Sequence, residues 1–115
     1  MTIENNAGEI TPLALKAKLD AQADITLLDV REPHELLIAS IKVPNYIHIR
    51  MQELADRVSE LKDYKDRELV VYCRSGGRSS RCSDFLQTQG FQKVFNLTGG
   101  ILSWTDNVDP TLTKY

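Results

Sequence analysis

The residues best equipped for covalent chemistry are in the run Cys73-Arg74-Ser75-Gly76-Gly77-Arg78-Ser79. A cysteine attacks as its thiolate, which nearby cations, helix N-termini and backbone N–H groups favour over the thiol. This run offers all three. Gly76 and Gly77 let the backbone take positive φ and curl tightly, so that successive N–H groups turn inward as a cradle for an anion. A helix starting just beyond them adds the equivalent of roughly half a positive charge. Arg74, Arg78 and Arg81 add three guanidinium groups close by in sequence. Together they predict a nucleophilic Cys73 with a pKa below that of a free thiol. An isolated cysteine is more often a small apolar core residue. The Gly-Gly-Arg context reverses that reading at Cys73 and leaves it standing at Cys82. Phe85 and Leu86 follow Cys82 at i+3 and i+4, so it is expected to face the core. Its place more than a turn into a helix suits a disulfide to Cys73 poorly.

The elements that must hold this loop are legible around it. Leu69-Val70-Val71-Tyr72 is an apolar strand running straight into Cys73, and the helix after Arg78 ends at Gly90, a C-cap signal. Thr11-Pro12 opens a helix to about Asp20, the threonine as cap and the proline at the first helical position. Ile25 to Val30 is nearly continuous in apolar residues, as in a strand buried on both faces. Pro33 opens a short helix, His34 to about Ala39, and Val43 to Ile49 reads as a further strand. Met51, Leu54, Ala55, Val58 and Leu61 have the spacing of an amphipathic helix. Val94 to Leu97 is another strand, and Gly99-Gly100 leads into a last helix through Trp104. Strands alternating with helices imply an α/β fold: a parallel sheet with helices on both faces. Ligand sites in such sheets lie beyond the carboxyl ends of the strands, which is where Cys73 falls.

Composition narrows the classes. The chain of 115 residues has room for one domain, and no linker, repeat or low-complexity tract divides it. Charged residues make up 26 %, yet 14 Lys and Arg against 16 Asp and Glu leave a net charge of only −2. That excludes a highly charged disordered chain and argues against general nucleic-acid binding. The longest apolar stretch, Leu36 to Ile41 with Ser40 inside, falls far short of the ~20 residues that span a bilayer. Met1 to Ile10 contains two Glu and no basic residue, unlike a secretory signal. With only two cysteines, the expected setting is a reduced cytoplasm. His34 and His48 lack metal-ligand spacing and read as surface or loop residues.

Three segments now carry a resemblance. Leu28-Asp29-Val30-Arg31-Glu32-Pro33-His34-Glu35, the Cys73–Ser79 run, and Leu97-Thr98-Gly99-Gly100 with Trp104 resemble, in order, the motifs of single-domain rhodanese-like sulfurtransferases. The resemblance covers about residues 10–108. It implies a five-stranded parallel sheet flanked by helices on both faces, and a Cys73 that accepts a sulfane sulfur as a persulfide and passes it to a thiophilic acceptor. Residues Arg74, Ser75, Gly76, Gly77, Arg78 and Ser79 would cradle that persulfide and a small anionic donor such as thiosulfate. Asp29 and Arg31 would support the loop or pair structurally. Trp104 and Gly99-Gly100 read as packing and turn residues. The persulfide is itself the covalent intermediate, so no metal or organic cofactor is implied. The protein is expected to act as a monomer in the cytoplasm, without membrane or nucleic acid.

One stretch departs from the family. The usual Gly-His-Ile-Pro-Gly-Ala reads Ile41-Lys42-Val43-Pro44-Asn45-Tyr46 here, and Arg50 replaces a proline further on. Lys42 and Arg50 form either a solvated basic rim or a surface for an acidic partner. Two other functions compete with this one. A phosphatase or arsenate reductase of related fold wraps its oxyanion in Cys-x5-Arg, and Cys73 to Arg78 is one residue shorter. A sulfur-carrier module, fed by a sulfur-relay protein partner and using thiosulfate poorly, is not separable from a free-standing sulfurtransferase by sequence.

Overall fold

A computed structural model describes residues 8–115; the signal-free reading of the N-terminus rests mainly on residues 1–7, which lie outside them. The chain runs β1 (Gly8–Ile10), α1 (Pro12–Asp20), β2 (Ile25–Asp29), α2 (Pro33–Leu36), β3 (Tyr46–His48), α3 (Met51–Arg57), a 3-10 stretch (Val58–Tyr64), β4 (Glu68–Tyr72), α4 (Gly77–Thr88), β5 (Val94–Leu97) and α5 (Gly100–Asn107). The five strands form one sheet in the order β1-β5-β4-β2-β3, and every neighbouring pair is parallel. The α/β fold with five parallel strands is therefore as the resemblance implied. Among the described residues, no helix is long and apolar enough to cross a membrane.

Strand alternation divides the core in two. Leu28, Leu69, Val71 and Cys73 pack on one face of the sheet, with Leu54 of α3 and Cys82 and Leu86 of α4. Leu27, Val70 and Tyr72 point the other way, against Leu15 of α1 and Ile101 and Trp104 of α5. Successive strand residues face opposite sides, so both sides of β2 and β4 must be apolar. That is the continuous run visible in the sequence. Cys73 therefore continues the α3–α4 face, and Cys82 lies in the same cluster, as expected.

The boundaries moved where local chemistry overrode periodicity. The strand expected over Val43 to Ile49 is confined to Tyr46–His48. Pro44 has no N–H to give an edge ladder, and pairing starts only where the Asn45 carbonyl accepts from Leu27 N at 2.9 Å. The helix expected to reach Ala39 stops at Leu36, and leaves Leu37 90 % exposed. The amphipathic helix from Met51 keeps Leu54 and Leu61 buried but tightens to a 3-10 turn at Val58. At α1 the expectation holds in detail: Thr11 Oγ1 accepts from Ala14 N at 3.2 Å, with Pro12 next. Strand β1, three residues against the far edge of β5, is an addition to the expected elements. So short a strand carries no periodic signal.

Candidate active site

Cys73 follows β4, the middle strand of the sheet, and the chain turns at Gly76 (φ +104°) into α4. A side chain at that φ is strained, so glycine makes the turn possible. The turn brings three donors to the cysteine sulfur. Gly76 N–H donates to Sγ at 3.1 Å, Ser79 N–H at 3.4 Å, and Ser79 Oγ lies at 3.3 Å. Cys73 is only 1 % exposed. Burial pushes its pKa up. The Ser79 hydroxyl and the amides of Ser79, Gly76 and Ser75 outweigh that and hold it below the ordinary thiol value. Cys82 has no such donors, and burial, together with the charge of Cys73, pushes it up to about 12. The two thiols are thus shifted in opposite directions.

A second element supports the loop from below. Gly99 (φ +75°) and Gly100 (φ +63°) start α5. Its first free N–H groups are directed at the active loop: Ile101 N donates to Cys73 O at 2.9 Å and Leu102 N to Arg74 O at 3.1 Å. A Cβ on Gly100 would come within 2.4 Å of Arg74 O and 2.6 Å of Cys73 O. The glycine pair is the turn that was expected, with the added role of seating the loop's carbonyls.

The arginines do not converge on the sulfur as the sequence suggested. Arg78 makes a bidentate pair with Glu35, at 2.7 and 2.9 Å. The Arg74 guanidinium is turned to the main-chain oxygen of Tyr115 and stacks 5.3 Å from its ring. Arg81 is exposed and borders a shallow cavity with Met51, Leu54, Ala55, Cys82 and Phe85. Backbone amides and one hydroxyl, rather than three guanidiniums, do the work of favouring the thiolate. Of the predicted basic rim, Arg50 is tied to Glu53 at 2.7 Å and Glu32 at 3.1 Å.

Asp29 and Arg31 form a wholly buried ion pair at 2.8 Å. Arg31 also donates to the Tyr115 hydroxyl at 2.8 Å, and its guanidinium lies 5.2 Å from the Tyr72 ring centre. Tyr46 donates its hydroxyl proton to Asp29. Burial raises the Asp29 pKa, and its bonds from Arg31 and Tyr46 more than reverse this. Their hydrogen bonds do not reach Cys73. The pair is linked to the loop through Tyr115, which donates to Glu35 Oε1 at 2.9 Å and accepts from Arg74 on its main-chain oxygen, and through Glu35, whose carbonyl accepts from Arg31 at 3.4 Å. This is the structural reading of the two. His48 is corrected: it is a half-buried strand residue whose ring nitrogen lies 2.7 Å from Arg31 O, whereas His34 is exposed. Sequence reasoning gave no role to Glu35, Tyr115 or Asn96. Asn96 carried a signal, being the one amide inside the otherwise apolar strand Val94–Leu97.

Known proteins of similar sequence and fold give the chain its family. The family model for the rhodanese-like domain matches residues 11–107. The sulfurtransferase of Allochromatium vinosum is 40 % identical over 97 residues, covering 84 % of this chain and 87 % of its own. The Bacillus subtilis protein YtwF is 39 % identical over 102 residues, covering 89 % of this chain and 94 % of its own. The crystal structure of a rhodanese-related protein from Thermoplasma volcanium superposes with a TM-score of 0.76 at 33 % identity, over 88 % of this chain and 93 % of that one. With the rhodanese-like model matching residues 11–107 and these relatives matched over most of their own length, the chain belongs to the family of single-domain rhodanese-like sulfurtransferases.

Proposed function

We propose that Cys73 carries the sulfur. Its thiolate attacks the outer sulfur of a sulfane donor, an Sγ–S bond forms, and the donor's S–S bond breaks with its electron pair leaving on sulfite or on a thiolate. A thiophilic acceptor, cyanide or a thiol, then attacks the outer sulfur. The Sγ–S bond breaks and the Cys73 thiolate returns. No metal or organic cofactor enters this cycle. The observation that carries the reading is the sulfur's set of donors: Gly76 N–H, Ser79 N–H and the Ser79 hydroxyl, all within 3.4 Å of Sγ. Preorganised donors of this kind stabilise negative sulfur without reorganising during the reaction. The test is intact-mass spectrometry after thiosulfate treatment. One added sulfur atom is expected, lost on cyanide addition and absent in Cys73→Ser. Full thiosulfate-to-cyanide transfer by Cys73→Ser would overturn the reading.

The engaged arginines favour a particular donor. A thiosulfate dianion gains most from a free guanidinium, and both Arg74 and Arg78 already have partners. A persulfide, with one negative charge, asks less of the pocket. The favoured donor is therefore a protein or low-molecular-weight persulfide, as in a sulfur relay. Glutathione persulfide should give a higher kcat/KM than thiosulfate. Glu35→Gln, which loosens Arg78, should lower the KM for thiosulfate more than that for the persulfide. Equal changes for both donors would remove this preference.

A further inference from the structure

Asn96 lies in β5, only 5 % exposed, and each end of its amide has a fixed task. Nδ2 donates to both carboxylate oxygens of Glu9 at 3.2 Å and to the Gly76 carbonyl at 3.4 Å. Those three oxygens only accept, so the amide nitrogen must face them and Oδ1 must face the other way. Glu9 is held in turn by Thr98 Oγ1 at 2.9 Å. Oδ1 therefore points at Ser79 and accepts from its hydroxyl at 2.5 Å.

A serine hydroxyl has one proton. Ser79 has two claimants for it, Asn96 Oδ1 at 2.5 Å and Cys73 Sγ at 3.3 Å. Beside a protonated Cys73 both can be satisfied: Ser79 donates to Asn96, and the thiol S–H donates to Ser79 Oγ. A thiolate has no proton to give, so the hydroxyl turns to the sulfur and Asn96 loses it.

We propose that Asn96 is a positioning residue that competes with the Cys73 thiolate for the Ser79 proton, giving the sulfur two hydrogen-bond settings. The proposal rests on Cys73 as the sulfur carrier. No proton leaves Ser79; its hydroxyl rotates about the Cβ–Oγ bond, and the proton that Cys73 loses goes to solvent. When the donor's S–S bond breaks and the Sγ–S bond forms, Sγ becomes a neutral divalent sulfur without a proton. The hydroxyl then returns to Asn96, and turns back when an acceptor takes the outer sulfur. The arrangement spends part of the thiolate's stabilisation on a setting that suits the loaded state.

Among the described residues, Arg78 and Cys82 on α4 interact with the charge of Cys73. Glu35 on α2 acts through Arg78, and Glu9 on β1 through Asn96. The test leaves Arg78, Cys82 and Glu35 unchanged. Iodoacetamide alkylation of Cys73 is followed against pH in the full chain for wild type, Ser79→Ala, Asn96→Ala and the double variant. Ser79→Ala should raise the midpoint by about one pH unit, the scale of one hydrogen bond to a charged group. Asn96→Ala should lower it by about half a unit, and should leave it unmoved once Ser79 is Ala. A midpoint in Asn96→Ala at or above wild type, or an equal fall in the Ser79→Ala background, overturns the proposal. If Asn96→Ala does not fold, Glu9→Ala, which frees the amide, is compared with Glu9→Gln, which removes the charge and keeps an acceptor. Glu9→Ala should then have the lower midpoint, and equal midpoints overturn the proposal. Alkylation needs no sulfur transfer. The expected midpoints without any persulfide by mass would therefore count against the function and leave the competition standing.

Discussion

Glu35 grips Arg78 through two charge-assisted bonds, at 2.7 and 2.9 Å, and so ties the short helix α2 to the helix that begins at the reactive loop. Two parallel N–H···O bonds fix geometry as well as charge. The same carboxylate caps α2, accepting from Glu32 N at 2.8 Å. One side chain thereby sets both ends of the contact.

Acid should loosen this contact first. The Arg78 bonds, against the opposing effect of burial, hold the Glu35 carboxyl down to about 2 from an ordinary 4.5. A carboxyl that is more acidic folded than unfolded stabilises fully above its unfolded pKa, and less as pH falls towards the folded one. The window is therefore pH 4.5 to 2. Thermal unfolding across it should show wild type losing stability more steeply than Glu35→Gln. Parallel losses would mean that Glu35 is not the group responsible.

The two thiols should titrate far apart. Alkylation at pH 8 should add one label, at Cys73, while Cys82, pushed up to about 12 by burial, stays unmodified. The Cys73 midpoint should fall below that of a free thiol. Peptide mapping that finds Cys82 labelled first would contradict the assignment of roles.

Gly100 and Gly77 should respond in opposite ways to alanine. At Gly100 a Cβ meets Arg74 O at 2.4 Å and the backbone sits at φ +63°. Such strain costs about 1–3 kcal/mol, and because it displaces the loop, sulfur transfer should fall with it. At Gly77 nothing lies within 4 Å of the new methyl and φ is not positive. Gly77→Ala should stay within about 0.5 kcal/mol of wild type. Thermal melts and single-turnover transfer on both variants decide it.

Asp29→Asn separates stability from chemistry. It leaves the wholly buried Arg31 without its carboxylate, and breaking a buried pair on one side costs about 3–5 kcal/mol. The protein that does fold should keep kcat within about threefold of wild type, a barrier change well under one tenfold step, because the pair's bonds do not reach Cys73. A loss of kcat beyond tenfold at unchanged stability would place Asp29 in the chemistry.

The reactive segment was legible because its signals are local. A strand end, two glycines and a helix start in one run place Cys73 and its amides without reference to the rest of the chain. The partners of Arg74 and Arg78 were not. Glu35 lies 43 residues from Arg78 and Tyr115 lies 41 from Arg74, and a list of charges does not say which will meet. Cations clustered in sequence suggest a cluster in space, whereas Glu35 of α2 and Tyr115 draw two of them aside. Asn96 is hidden for the same reason: an amide in a strand is visible, but its hydroxyl partner across the sheet end is not. The β3 edge shortened because Pro44 removed a donor, a rule available in the sequence and outweighed there by apolar spacing.

The seat for the sulfur is assembled from two stretches of chain. The carbonyls of Cys73 and Arg74 rest on Ile101 and Leu102, nearly thirty residues later. Until β5 and the turn after it have docked, those two carbonyls lack their donors. The shape of the reactive segment is therefore answerable to a turn far along the chain as well as to its own residues.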